Sequence, residues 1–345
     1  MKKPFLNLVL ILLTMSAFSQ EKKDSIYQVK IASPGVRFVP VNGGKYKVFT
    51  QKIGSGRNSL LLLSGGPGES HEYFENFAEH LAGADVTIYM YEQLGNYFSD
   101  QPDDSSIWHV DRFAAEVEEV RQGLGIDQFF LLGHSWGGML GEVYAAKYGQ
   151  HLKGLILSNI PGFPANDTDY FDAVLDSMEN VVRLKTVQLP RFAAHREQID
   201  SISRGQSLSD SALFSKLRKE YRKVNDSLFG RTMYYRKPGK IPDPLARSTK
   251  HYSLPGGGKY TFNIFEVDYA AMLRKIDKPV LLLGSRYDFL HNERYDELKK
   301  QMTNTKVRVY LCPEGAHFPM WDDTGNYFRE LGRFIKEVSQ GKFKG

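Results

Sequence analysis

The rhythm of apolar and polar positions changes three times along this chain, and each change predicts a different kind of structure. From about Tyr27 to Thr50, short β-prone runs are broken by Pro34-Gly35 and by Asn42-Gly43-Gly44. Asn-Gly between alternating apolar residues is a strong hairpin signal, so this stretch predicts antiparallel edge strands. After Gly56 the apolar residues gather into short continuous runs, Ser59 to Leu63, Val86 to Tyr91, Gln128 to Leu132 and Gly154 to Ser158. Between them lie segments of helical periodicity, Tyr73 to Leu81, Val110 to Gly123 and Met139 to Lys147. Such alternation predicts βαβ units and a parallel sheet.

Between Pro161 and roughly Phe265 the alternation stops and the composition turns polar, which predicts an inserted cap over residues 161–265. Within it, Phe171, Val174, Leu175, Met178, Val181 and Val182 recur every three or four positions and predict an amphipathic helix. A second helix is expected from Ser209 to Lys223 with Ser209 as its N-cap, and the breaker-rich Arg236 to Pro244 reads as a surface loop. The earlier rhythm returns with strands Val280 to Leu283 and Lys306 to Leu311 and helices Asn292 to Gln301 and Thr324 to Val338. The expected architecture is α/β: a mostly parallel, doubly wound sheet in two parts, residues 20–160 and 266–345, with a helical cap inserted between them.

Composition narrows the function classes. A chain of 345 residues with 41% hydrophobic and 13% aromatic content can bury a substantial core. Lysine and arginine total 45 against 40 acidic residues, with no run of five or six like charges, so there is no electrostatic footprint for nucleic acid. Met1-Lys2-Lys3-Pro4, the apolar run Phe5 to Ala17 and the small-x-small Ala17-Phe18-Ser19 read as a signal peptide over residues 1–19, cleaved before Gln20. The apolar run is shorter than the roughly 20 residues that span a bilayer, so export to the periplasm or medium is expected, without stable membrane insertion after cleavage. The single cysteine, Cys312, permits no intramolecular disulfide and no cysteine-cluster zinc site, and it reads as a small buried hydrophobe. No metal or organic cofactor is implied.

The chemistry is concentrated at Gly133-His134-Ser135-Trp136-Gly137, which follows a strand and precedes a helix, as a G-x-S-x-G nucleophile elbow requires. The glycines admit the strained turn that projects the Ser135 hydroxyl outward. A serine hydroxyl needs a base and a third group to orient that base. Asp288, just past the strand Val280 to Leu283, and His317, just past the next strand, stand where catalytic groups gather at the carboxyl ends of parallel strands. Asp268 and Glu314 are weaker rivals for the acid, and position Asn159 carries an amide. His71, His80, His109, His151, His195, His251 and His291 read as solvated or capping residues, while His134 should point away from the nucleophile and pack structurally. Ser64-Gly65-Gly66-Pro67-Gly68 follows a strand and can turn backbone N–H groups toward a substrate carbonyl, so the oxyanion hole is assigned to Gly66 and Trp136. Trp136 is also expected to line an apolar pocket, with Trp108 and Trp321 nearby.

These residues resemble the proline iminopeptidase branch of the α/β-hydrolase superfamily, serine peptidases that release an N-terminal residue, often proline, from short peptides. Ser64-Gly65-Gly66-Pro67-Gly68 looks like the family's His-Gly-Gly-Pro-Gly. Glu92-Gln93-Leu94-Gly95 with Ser99-Asp100 looks like its Asp-Gln-x-Gly-x-Gly-x-Ser-Asp. The elbow, Arg286-Tyr287-Asp288 and Gly315-Ala316-His317 complete the set. Ser64 replaces histidine, Glu92 replaces aspartate and Asn96-Tyr97-Phe98 interrupts the second glycine, so the loops near the oxyanion site are expected to be reshaped. The resemblance implies that cap carboxylates grip the substrate's free amine. Glu266 is the nearest candidate here, with Gly65 as a further substrate-binding position.

The expected function is an exported serine aminopeptidase acting on short peptides or small-molecule analogues through an acyl-enzyme. The same triad serves esterases, amidases and lactonases, and the fold also serves non-catalytic binding proteins.

Overall fold

Residues 28, 30–162, 180, 182–229, 235–237, 239–254, 256 and 263–345 are described by a computed structural model. The expected signal peptide, and Phe171, Val174, Leu175, Met178 and Val181 of the first cap helix, lie outside the described residues. The chain opens with the expected hairpin: β1 (Val36–Val41) pairs antiparallel with β2 (Tyr46–Ile53). Asn42, Gly43 and Gly44 between them all take positive φ, which is why asparagine and glycine stand there. The run before Pro34, expected as strand, is helical at Lys30 and Ile31. Lys30 is drawn to Glu75 at 2.8 Å and Ile31 packs on Phe49 and Phe98, which holds the segment in against the core.

Six further strands complete one sheet: β3 (Asn58–Leu63), β4 (Val86–Tyr91), β5 (Phe129–His134), β6 (Leu152–Ser158), β7 (Val280–Ser285) and β8 (Val307–Cys312). Their order is β1-β2-β4-β3-β5-β6-β7-β8, with β2 antiparallel to β4 and every pair from β4 to β8 parallel. β4, β5 and β7 are buried along their whole length. Each faces a core on both sides: Tyr89, Leu131 and Leu282 enter one hydrophobic cluster, Ile88, Leu132 and Leu281 the other. Continuous rather than alternating apolar sequence follows from that double burial. Among the helices, α1 (Val110–Leu124) and α2 (Trp136–Tyr148) cover the first face. The expected helix from Tyr73 to Leu81 is instead two short turns, His71–Phe74 and Phe77–His80. The break turns Tyr73 toward the elbow and Phe77 onto Tyr327 and Phe328.

Between β6 and β7 lie α3 (Arg196–Ser203), α4 (Ser211–Phe229) and α5 (Asp243–Lys250); α3 and α4 share a small hydrophobic cluster built on Val187, Phe192, Ile199, Ile202 and Leu217, while Leu245 of α5 joins the main core. Asp210, not Ser209, caps α4, accepting from the N–H of Leu213 at 2.9 Å; a carboxylate also suits the positive end of a helix. The expected loop from Arg236 to Pro244 ends early, because Pro244 sits in the first turn of α5, where its fixed φ favours the helix. α6 (Tyr269–Lys275), α7 (Tyr295–Gln301) and α8 (Thr324–Ser339) complete the second half. No helix among the described residues is long and apolar enough to cross a membrane.

The cap segment is bolted to the core through Glu72. Its carboxylate meets Arg247 at 2.9 Å and His251 at 2.6 Å, while Arg247 also reaches Glu75. His71 and His251, expected to be solvated, are both buried, and His71 pairs with Glu92 at 2.6 Å. Burial pushes the Glu72 carboxyl up, but the hydrogen bond and charge of His251 and the Ser70 hydroxyl outweigh it and bring the group down to about 2. Depression of a folded-state carboxyl means stability that is fully present above the unfolded value, about 4.3, and lost as pH falls toward 2. The urea midpoint should therefore decline across pH 4.5 to 2 with a contribution from Glu72 of up to about 1.4 kcal/mol per pH unit. Glu72→Gln should flatten that part of the profile; an unchanged slope would remove Glu72 from the acid response.

Candidate active site

Ser135 stands between β5 and α2 with φ 54 and ψ −124, a backbone conformation that L-residues rarely adopt. Space forces the glycines around it. A Cβ on Gly133 would lie 2.1 Å from the carbonyl oxygen of Gly137, and one on Gly137 would lie 2.3 Å from that of Leu63. Both obstacles are backbone, so neither can swing away. Gly137→Ala should lower stability by about 3 kcal/mol in urea unfolding, because β3 or α2 must shift to admit the methyl. A change below about 1 kcal/mol would show that the elbow is looser than these distances indicate.

The acid and base arrive from the neighbouring strands. Asp288 follows β7, His317 follows β8, and His317 Nδ1 lies 3.1 and 3.2 Å from the two carboxylate oxygens of Asp288. Both residues are buried, and Phe289 packs on the imidazole with ring centres 4.8 Å apart. Asp288 is itself held: Oδ2 accepts from Asn159 Nδ2 at 2.6 Å and Oδ1 from the N–H of Leu290 at 3.0 Å. Asn159 follows β6 and takes φ 51, which lets its amide reach across the sheet end. The rival acids serve elsewhere. Asp268 caps α6 through the N–H of Ala271, and Glu314 is exposed.

A second set of bonds ties the base to the elbow. His134 donates from Nε2 to the carbonyl of His317 at 2.7 Å, and its Nδ1 lies 3.2 Å from the Tyr73 hydroxyl. Burial, with the charge of His317, pushes the His134 imidazole well below its ordinary value, so it is neutral. With the proton on Nε2, Nδ1 accepts from Tyr73, whose oxygen in turn accepts the N–H of Gly65 at 2.8 Å. The residue beside the nucleophile thus props the backbone of the base. Asp322 supports the same loop from behind, its Oδ2 accepting from Ala316 at 3.1 Å and its Oδ1 from Arg236 at 2.9 Å, which links the cap to His317.

Gly66 takes φ +107, and a Cβ there would meet the backbone nitrogen of Gly68 at 2.5 Å, so only glycine fits. As the first residue of α2, Trp136 carries one of the N–H groups that have no partner within the helix. Gly65 approaches Ser135 closely: a Cβ there would sit 3.1 Å from Ser135 Cβ. Its N–H is committed to Tyr73. The Trp136 indole is buried in the core against Phe113 instead of lining a pocket. Its N–H donates to Gln93 Oε1 at 2.8 Å while Gln93 Nε2 donates to Ser64 O at 2.9 Å, so the Gln93 amide clamps the elbow to the oxyanion loop. Trp108 is likewise in the core, and Trp321 donates to Tyr73 O. Glu92, one methylene longer than the aspartate of the resemblance, spans from the N–H of His71 to that of Phe98. Cap residues close over the loop, with Tyr252 donating to Pro67 O and Ser253 to Gly68 O, both at 2.9 Å. Glu266 lies exposed in the turn Ile264–Glu266.

The site therefore brings Ser135, Asp288, His317, Gly65, Gly66 and Trp136 to one rim of the sheet. Asn159, Tyr73, His134 and Gln93 are supports; His134 packs structurally as expected, while the hydrogen bonds of Asn159, Tyr73 and Gln93 were not legible in the motifs. A model of the alpha/beta hydrolase fold matches residues 58–324. The chain is 32% identical over 319 residues to a proline iminopeptidase of Elizabethkingia meningoseptica, covering 87% of this chain and 97% of that one. It is 32% identical over 310 residues to one of Flavobacterium johnsoniae, with the same coverages. The crystal structure of a proline iminopeptidase from Mycobacterium smegmatis superposes with a TM-score of 0.68 at 21% identity, over 89% of this chain and 100% of that one.

Proposed function

Because the chain belongs to the proline iminopeptidase family of α/β-hydrolases and is a serine hydrolase, we propose that it is an aminopeptidase releasing an N-terminal residue, proline by preference, from short peptides. The observation that carries the mechanism is the Asp288–His317 pair joined through His134 to the strained elbow at Ser135. In this reading His317 Nε2 takes the Ser135 proton as Oγ attacks the scissile carbonyl. Asp288 fixes the tautomer with the proton on Nδ1 and steadies the imidazolium that forms. The oxyanion develops against the N–H groups of Gly66 and Trp136, donors already in place before reaction. His317 then returns the proton to the leaving amine, and water repeats the sequence to release the acyl group. Gly65 leaves room for the acyl carbon beside Ser135, and Glu266 is a cap-side candidate for the substrate amine.

A panel of prolyl and alanyl arylamides against an aryl acetate tests this. Arylamide turnover with proline preferred is expected; ester turnover without arylamide turnover would reject the peptidase reading. A fluorophosphonate probe should label Ser135. We further propose export through residues 1–19, for which the mature protein should begin at Gln20 in N-terminal sequencing of the exported fraction; an unprocessed Met1 there would overturn it.

A further inference from the structure

Glu69 comes directly after the glycine loop Ser64-Gly65-Gly66-Pro67-Gly68. The backbone is fixed at both ends: its N–H donates to Gly65 O at 3.2 Å and its carbonyl accepts from Asn96 Nδ2 at 2.7 Å. The N–H also lies 3.0 Å from where a Gly66 Cβ would stand, so Glu69 is placed beside the proposed oxyanion donor. The residue is half-buried, and Oε2 is sealed from solvent with no hydrogen-bond partner among the described residues. Burial pushes the carboxyl up to about 7, against the opposing pull of His317, whose charge it feels across the site. Three other buried carboxylates at this end of the sheet have partners: Glu72 in His251 and Arg247, Glu92 in His71 and Phe98, Asp288 in Asn159 and Leu290. An unpaired buried carboxylate is costly to hold, and one retained at the reacting end of a pocket finds its donor in the ligand.

We infer that Glu69 is a specificity-determining residue whose carboxylate receives the ammonium group of the substrate's N-terminal residue, from the oxyanion-loop side of the pocket. This rests on the aminopeptidase reading above. The chemistry fits: the α-amino group is attached one carbon away from the carbonyl that Ser135 attacks. A residue whose backbone borders Gly66 and whose carboxylate feels the charge of His317 is therefore placed within its reach. The same charge disfavours acyl groups carrying an anion.

The test is the ratio of kcat/KM for a prolyl arylamide to kcat/KM for an aryl acetate, measured on the same preparation of wild type and of Glu69→Gln. The ratio is independent of the fraction of active enzyme and of the ionisation of His317, because both substrates share them. A charge-assisted hydrogen bond to the ammonium predicts a ratio about 10- to 100-fold lower in E69Q. In wild type the ratio should also rise from about pH 5.5 to 7 as the carboxyl ionises while the substrate amine, with an ordinary value of about 8, stays largely protonated. A ratio in E69Q within about twofold of wild type, with both substrates turned over by the wild type, would overturn this assignment alone. Wild type that turns over the acetate and no aminoacyl arylamide would overturn the aminopeptidase reading and this assignment with it. Should E69Q fail to fold, a flat wild-type ratio over that pH range would be the overturning result.

Discussion

Ser135→Ala is expected to lower kcat on a prolyl arylamide by about 10⁶-fold, the scale on which loss of a triad nucleophile is felt in serine hydrolases. The hydroxyl is the only atom removed. Alanine keeps the Cβ and so keeps the φ of 54 at the elbow, and the N–H of residue 135 still donates to Ser158 O at 2.9 Å. Stability should therefore stay within about 0.5 kcal/mol of wild type, which separates a chemical from a folding effect. A residual rate above water is expected from Gly66 and Trp136, whose donors the substitution leaves in place. Fluorophosphonate labelling should vanish in the same variant. Retention of more than a tenth of the wild-type rate would remove Ser135 from the mechanism.

Asp288→Asn should lower kcat by about 10⁴-fold, the effect of presenting the base in its wrong tautomer. The geometry sharpens that expectation. Both carboxylate oxygens already receive donors, Oδ2 from Asn159 Nδ2 and Oδ1 from Leu290 N–H, and both lie within 3.2 Å of His317 Nδ1. An amide has one acceptor and one donor, so whichever way it is turned its NH₂ faces a donor, Asn159 or Leu290. It also presents a proton to His317 Nδ1, which drives the ring proton to Nε2, where the base must accept from Ser135. A loss of about 1 to 3 kcal/mol in unfolding free energy should accompany the kinetic effect, since a buried donor is left unpaired. Kinetics and urea unfolding of the purified variant check both. Wild-type kcat in the variant would move the acid elsewhere.

Much of this site was legible before any coordinates, and the reasons are local. The elbow declares itself because Gly133 and Gly137 must be glycine for steric reasons that act within a few residues, and the strands read clearly because β4, β5 and β7 are buried on both faces. The order Ser135, Asp288, His317 and their positions after successive strands follow from the same pattern. The supports were hidden because their signal is not local. Tyr73 lies 61 residues from His134, and Asn159 lies 129 from Asp288, so nothing in either neighbourhood marks the pairing. Asn159 could have been found from its place at the end of a strand, had its amide been read as a donor to the acid. His71 and His251 looked solvated because their carboxylate partners, Glu92 and Glu72, stand 21 and 179 residues away.

The sequence by itself determined the strand-and-helix rhythm, the nucleophile turn and the placement of Asp288 and His317 just past successive strands, because each depends on burial periodicity or backbone sterics within a short stretch. Only the tertiary structure decided that the Gly65 N–H is committed to Tyr73, that the Trp136 indole enters the core, and that Glu69 Oε2 is sealed with no hydrogen-bond partner among the described residues. Those are outcomes of competition among donors, acceptors and apolar surfaces that meet only when distant segments pack. Hydrogen bonds and desolvation act over a few ångströms of space, whatever the separation along the chain.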